Sequence, residues 1–88
     1  SQKANYNLVP TKEFLRSLEK LEKQTNQRVI RSIEDLALNP FLGKPLRGEL
    51  QGLYSLRVGG YRIIYSINTR KLELILHAAK HRSKVYEQ

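Results

Sequence analysis

The last third of the chain carries three strand-like segments that are joined by very short links. Residues 53–58, 61–67 and 71–79 are rich in β-branched, aromatic and aliphatic side chains, and Gly59-Gly60 and residues 68–70 separate them. Parallel neighbours need a crossover of about a dozen residues or more, whereas antiparallel neighbours need only a tight turn. The short links therefore predict an antiparallel β-meander.

Two helices are predicted ahead of the meander. Thr11 suits the N-cap position of the first helix, which the apolar spacing predicts over residues 12–23. After the polar stretch 24–27, the same spacing returns and predicts a second helix that ends at Asn39-Pro40. The two apolar stripes consist of Phe14, Leu15, Leu18 and Leu21, and then of Val29, Ile30, Ile33, Leu36 and Ala37.

The pattern as a whole predicts a small α+β fold in a single domain over residues 1–88. The expected order is β-α-α-β-β-β, with the helical hairpin packed on a mainly antiparallel four-stranded sheet. The first strand, residues 5–9, ends at Pro10 and is expected at a sheet edge. Residues 41–52 are expected to form an irregular loop anchored by leucines.

One face of the predicted sheet is cationic. Alternation places Ser55 and Arg57 opposite the apolar residues of their strand, and Arg62 is on the polar side of the next strand. If these three residues share a face, the segment from Lys80 to Tyr86 can fold over it to complete a shallow basic concavity.

The net charge of the chain is +8. Residues 50–88 carry Arg57, Arg62, Arg70, Lys71, Lys80, Arg82 and Lys84 against Glu73 and Glu87. A clustered positive excess is the electrostatic signature of a polyanion partner.

Missing residue types narrow the chemistry. The chain has no Cys, one Asp, and two His outside any recognised metal-ligand spacing, so neither a metal nor a cofactor is expected. Residues 1–5 are polar, and no apolar run approaches the ~20 residues that span a bilayer. We therefore expect a soluble cytoplasmic protein with no membrane partner.

Metal-free RNA cleavage is compatible with the residues that remain. The 2′-hydroxyl must lose a proton, the charged phosphorane must be stabilised, and the departing 5′-oxygen must gain a proton. Arg57 and Arg62 can stabilise the phosphorane, because a guanidinium stays charged and binds phosphate through two parallel hydrogen bonds. Tyr86, Lys80 and His81 are then the candidates for proton transfer. A free phenol has a pKa of ~10, so Tyr86 needs neighbouring cations to act as a base, whereas an imidazole titrates near neutrality.

Three ring side chains have structural interpretations. Tyr61 and Tyr65 fall on the apolar side of their strand and are interpreted as core residues. His77, inside the last strand, is interpreted as a packed or hydrogen-bonded residue rather than a ligand.

The second half of the chain carries two linked motifs. They comprise Leu46, Gly48, Leu50, Gly52, Tyr54, Ser55, Arg57, Gly60, Tyr61, Arg62, Ile63, Ile64 and Tyr65, and then His81, Arg82, Ser83, Lys84, Val85 and Tyr86. Together with the helical hairpin, this pattern resembles the RelE/ParE superfamily of toxin-antitoxin systems over almost the whole chain. RelE-like members are small basic endoribonucleases that enter the ribosomal A site and cut the mRNA there, and a co-expressed antitoxin neutralises them.

The resemblance implies roles for individual residues. Arg62 corresponds to the phosphate-stabilising arginine of the superfamily, and Tyr86 to the C-terminal tyrosine proposed to activate the 2′-hydroxyl. Lys80 and Arg82 match the basic positions before that tyrosine. Ser55 and Arg57 stand where RelE enzymes often carry lysines. The residues expected to bind RNA phosphates are Arg82, Lys44, Arg47, Ser55 and Lys84.

Two functional hypotheses follow. The first is a ribosome-dependent mRNA endonuclease with the 70S ribosome, mRNA and a RelB-like antitoxin as partners, the antitoxin complex being a heterodimer or heterotetramer. The alternative is a ParE-like, non-catalytic toxin that binds and inhibits DNA gyrase. The residues leave open which group is the general base and which is the general acid.

Overall fold

The computed structural model describes residues 5–84, which form a sheet with two helices on one face. The strands are β1 (Asn7–Pro10), β2 (Lys44–Pro45), β3 (Tyr54–Val58), β4 (Tyr61–Asn68) and β5 (Glu73–His81). The helices are α1 (Lys12–Glu19) and α2 (Lys23–Leu38), and short 3₁₀ turns cover Pro40–Leu42, Gly48–Leu50 and Arg82–Lys84.

The sheet confirms the predicted meander and adds one strand to it. The spatial order is β1-β5-β4-β3-β2, in which β3, β4 and β5 are antiparallel and β1 runs parallel to β5 at one edge. The α+β class and the predicted element order are confirmed. The prediction of four strands was wrong by one, because Lys44 and Pro45 pair with Ser55 and Tyr54 inside the segment expected to be a loop. A two-residue strand has no alternation of its own, so its sequence gives no signal.

The helix boundaries differ from those predicted at the turn between the helices. α1 ends at Glu19 rather than near residue 23, and the polar stretch 24–27 lies inside α2 instead of breaking the hairpin. The side chain of Asn26 donates to the Leu18 carbonyl at 3.0 Å, so this polar residue closes the end of α1 while it belongs to α2. The prediction failed because a polar first turn lacks the apolar spacing that indicates a helix.

Thr11 joins β1 to α1, as predicted for an N-cap. Its hydroxyl oxygen accepts from the Phe14 backbone N–H at 3.2 Å. The same hydroxyl lies 2.9 Å from the Leu76 carbonyl oxygen and 3.1 Å from that of His77, to which it donates. Thr11 therefore caps the helix and fixes part of β5 at once.

The core lies between the helices and the sheet. Its buried members are Phe14, Val29, Ile33, Leu36, Val58, Ile63, Tyr65, Leu74, Leu76 and Ala79. Tyr65 is confirmed as a core residue. Its hydroxyl donates to the Pro40 carbonyl at 2.8 Å and accepts from the Gly43 backbone N–H at 2.9 Å. Burial raises the pKa of Tyr65 to about 12, so its phenol stays protonated and can hold the segment that follows α2.

Candidate nucleic-acid interface

Three cationic residues lie in one row across the meander. Arg57 of β3 is directly opposite Arg62 of β4, and Arg62 is directly opposite Lys80 of β5. Directly opposed residues of antiparallel strands project from the same face, with Cβ atoms about 4.5–5.5 Å apart. The neighbours of Arg62 along the chain include the core residue Ile63, so the row is on the face of the sheet opposite the core. We call this the outer face, and Arg57, Arg62 and Lys80 the cation row.

Arg62 and Lys80 of the cation row each contact a polar neighbour. The Arg62 guanidinium donates to the Ser55 hydroxyl at 3.5 Å, and Ser55 is buried with 3% of its surface exposed. Lys80 Nζ lies 3.9 Å from a carboxylate oxygen of Glu13, an exposed and therefore weak ion pair. Like charges directly opposite each other destabilise a sheet. A bound anion would relieve that repulsion, so the row is suited to a phosphate.

A one-residue bulge in β5 interrupts the ladder near the row. Ala78 is opposite Ile64 and Leu76 is opposite Tyr65, so His77 between them has no partner across the ladder. Bulges of this kind re-aim side chains and are common beside functional sites.

The bulge decides which residue faces Arg62. If the register at the start of β5 continued without an insertion, Ala79 would lie opposite Arg62. The extra residue His77 shifts the pairing by one, so Lys80 takes that place.

Lys44 and Arg47 are the two residues of the 41–52 segment that were expected to bind RNA phosphates. The structure adds one of them to the outer face. Lys44 is directly opposite Ser55, and so extends the face beside the cation row. Arg47 is exposed and precedes the 3₁₀ turn at Gly48, outside every strand, so no pairing places it on that face.

His81 is not brought together with the cation row. It is opposite Tyr61, which in turn is opposite the core residue Val58, so His81 falls on the other side of the sheet. The rings of Tyr61 and His81 meet edge-on with centroids 5.3 Å apart. The imidazole Nδ1 also accepts from the Ser83 backbone N–H at 3.3 Å. The sequence predicts that Lys80 to Tyr86 follow the last strand and fold over the Arg62 face, whereas β5 extends to His81 and pairs it with Tyr61. The bulge decides which face His81 takes, and the bulge has no signal in the sequence.

The remaining predicted site residues follow β5. Arg82 is exposed and its backbone N–H donates to the Gly60 carbonyl at 2.9 Å, which continues the contact with the turn before β4. Lys84 ends the last 3₁₀ turn. Tyr86 lies outside the described residues.

Sequence reasoning missed a polar pair on the outer face. Ser66 alternates with Arg62 along β4, and its hydroxyl is 2.9 Å from Nε2 of His77. The interpretation of His77 as a hydrogen-bonded residue is thus confirmed. The ring of His77 was not expected on the same face as the cation row. Counting alternate residues from Ile75 would have placed it there.

Residues 5–84 contain no group of three His, Asp or Glu side chains arranged to hold a metal ion. No helix in this part of the chain combines the length and apolar content of a membrane span.

Comparison with known proteins places this geometry in a family. Residues 8–86 match the family model described as the ParE toxin of type II toxin-antitoxin systems. The toxin RelG of Mycobacterium tuberculosis is 35% identical over 75 residues, which cover 83% of this chain and 86% of RelG. The toxin RelE of the same organism is 36% identical over 79 residues, covering 85% of this chain and 80% of that protein.

Solved structures give the same result at the level of fold. The toxin-antitoxin complex RelBE2 of Mycobacterium tuberculosis contains a chain with a TM-score of 0.82 and 34% identity, and the match covers 89% of this chain and 99% of that one. The isolated Escherichia coli RelE toxin shares the fold with a TM-score of 0.76 at 22% identity, covering 92% of this chain and 90% of RelE. The protein therefore belongs to the RelE/ParE superfamily of toxins from type II toxin-antitoxin systems.

Proposed function

We propose that this toxin is a ribosome-dependent endoribonuclease that cuts mRNA by attack of the 2′-hydroxyl on the adjacent phosphodiester. The observation that carries the proposal is the cation row, in which Arg57, Arg62 and Lys80 stand side by side across three strands of the sheet. Such a row offers several charged donors at the spacing of adjacent strands, which suits the oxygens of a single phosphorane.

The chemistry divides among these residues. The 2′-oxygen forms a bond to phosphorus, and its proton passes to a base. The phosphorus bond to the 5′-oxygen breaks, and that oxygen takes up a proton, leaving a 2′,3′-cyclic phosphate and a 5′-hydroxyl. Arg62, at the centre of the row, neutralises the charge of the phosphorane together with Arg57. Lys80 carries protons on the same face and is assigned the transfer to the 5′-oxygen, because His81 falls on the other side of the sheet.

Tyr86 keeps the role that the resemblance gives it, as the base that activates the 2′-hydroxyl. A phenol needs nearby cations to act as a base at neutral pH, since they stabilise the phenolate. Lys44 and Arg82 are assigned to phosphates on either side of the scissile bond, with Ser55 as the group that positions Arg62.

A second candidate is inhibition of DNA gyrase by binding alone. The observation in its favour is the family match, since the model that covers residues 8–86 is described as the ParE toxin. In this case the outer face would be a protein contact, and Tyr86 would have no chemical role.

An antitoxin partner and a cytoplasmic location belong to the same proposal. Solved relatives include RelBE2 of Mycobacterium tuberculosis and the archaeal RelE-RelB complex of Pyrococcus horikoshii OT3, both of them toxin-antitoxin complexes. We expect a RelB-like antitoxin to bind this chain in a heterodimer or heterotetramer. An acidic segment that folds on binding is suited to a chain with a net charge of +8. Action on the ribosome would place the toxin in the cytoplasm.

The experiment is primer extension on a message translated in a reconstituted system with the purified toxin. We expect breaks in phase with the codons, and a fall in cleavage of roughly 10²–10³-fold for Arg62→Ala, the usual effect of removing one donor to a developing negative charge. Tyr86→Phe should reduce cleavage without changing the fold. Arg70→Ala, which removes an exposed arginine from the β4–β5 turn, is the matched control and should cleave normally.

Each outcome decides between the candidates. Normal cleavage by both Arg62→Ala and Tyr86→Phe would reject the proposed site. An intact message combined with altered supercoiling of a plasmid treated with gyrase and the toxin would support the gyrase hypothesis instead.

A further inference from the structure

We propose that His77 is a nucleobase-binding residue on the outer face, which contacts a base next to the scissile phosphate; this inference rests on the proposed cleavage of mRNA. The ring lies on that face because Nε2 is 2.9 Å from the hydroxyl of Ser66. Ser66 is four residues from Arg62 along β4, which corresponds to roughly 13 Å. A group at that distance lies beyond the phosphate held by the cation row and within reach of a neighbouring nucleotide.

Two hydroxyl groups hold His77 in place at the bulge. The bulge leaves His77 unpaired across the ladder. The Thr11 hydroxyl donates to the carbonyls of Leu76 and His77 and so fixes the bulged backbone. The hydroxyl of Ser66 fixes the ring itself. A side chain oriented in this way loses little conformational entropy on binding, which is the usual requirement of a recognition residue.

The surroundings of His77 suit a base and not a phosphate. Ser66 pairs with Ile75, and Ile75 pairs with Val9, so a largely apolar row crosses the outer face beside the ring. The next row consists of Asn68, Glu73 and Asn7, which contains no cation and one carboxylate. The paired strand residues of the outer face are therefore cationic at one end and uncharged or acidic at the other, beyond which the β4–β5 turn carries Arg70 and Lys71.

The imidazole offers what a base requires. Its flat face can stack on an unpaired nucleobase, as His does in RNA-binding proteins. With Nε2 engaged by Ser66, Nδ1 is the ring nitrogen that can hydrogen-bond to a base edge. The phosphate would thus bind at the cation row while the base binds at His77, and this division would give the cleavage a sequence preference.

The test is the distribution of cleavage over all codons of a translated message, measured by primer extension for the wild type and three variants. His77→Leu should reduce the ratio of cleavage at preferred to disfavoured codons by about 5-fold or more, the lower end expected for the loss of one stacked base. His77→Phe keeps a flat ring and should retain much of the preference. Ser32→Ala removes an exposed hydroxyl that bonds its own helix, and should match the wild type.

The outcomes separate this inference from the proposed function. If the wild type cleaves and Arg62→Ala does not, but His77→Leu has the codon profile of the wild type, the inference is overturned and the function stands. If the wild type does not cleave at all, the proposed function is refuted and the inference with it. Thermal unfolding of each variant shows whether the fold is kept, and His77→Phe gives the answer should His77→Leu not fold.

Discussion

Replacing Tyr65 by Phe tests how the fold holds the segment between α2 and β2. The hydroxyl that is removed bonds the Pro40 carbonyl at 2.8 Å and the Gly43 backbone N–H at 2.9 Å. Leaving buried backbone groups without a partner costs about 1–3 kcal/mol each, although nearby exposed residues such as Phe41 allow some access of water. We expect Tyr65→Phe to lower the free energy of unfolding by roughly 2–3 kcal/mol at pH 8.

The pH dependence of the free energy of unfolding gives a second test of the burial of the Tyr65 hydroxyl. Burial raises the pKa of Tyr65 from 10.0 to about 12, so the folded protein holds this proton more tightly than the unfolded chain does. Stability from this group is therefore fully present below pH 10 and is lost as the pH rises towards 12. The difference between the two pKa values corresponds to roughly 3 kcal/mol.

Urea unfolding followed by circular dichroism at a series of pH values from 8 to about 12 measures both effects. The stability of the wild type should fall towards that of Tyr65→Phe over the alkaline range, because the variant lacks the titrating group. Tyr6→Phe, at a partly buried position against the core, is the control and should follow the wild type. Parallel curves for the wild type and Tyr65→Phe across the whole range would refute the argument.

Three further predictions follow from the same geometry. Gly43→Ala should destabilise the fold by about as much as Tyr65→Phe, because the new Cβ would collide with the Tyr65 hydroxyl. Gly60→Ala is the control and should stay within about 0.5 kcal/mol of the wild type. Equal urea midpoints for the two glycine variants would contradict this prediction. Thr11→Val should cost roughly 2 kcal/mol in urea unfolding, since it removes the cap of α1 and both bonds to the bulge. Arg57→Ala should weaken the salt dependence of RNA binding, which is measured by titrating a short single-stranded RNA at several salt concentrations. The slope of the logarithm of the binding constant against the logarithm of the salt concentration should fall in magnitude by about 0.7, as expected for one lost phosphate contact. An unchanged slope would show that Arg57 is not part of the interface.

The segments of the fold were accessible from the sequence because each has a local signal. Short links fixed the antiparallel meander, and the Thr11 cap and Asn39-Pro40 marked the start of α1 and the end of α2. The local patterns failed where a residue's role depended on a distant partner. Asn26 closes α1 from within α2, so the polar stretch around it resembled a break between the helices.

For the candidate site, the sequence by itself determined which side chains lie together on one face of β3, and which do so on β4. Alternation along each strand is a local property, and the pairing of Arg57 with Arg62 confirms that Ser55, Arg57 and Arg62 share a face. The tertiary structure alone decided what β5 adds to them. A single inserted residue reverses the alternation of everything that follows, so the bulge at His77 brings Lys80 into the cation row and turns His81 to the other side of the sheet. The insertion exists only relative to the partner strand, and for this reason no pattern within β5 could reveal it.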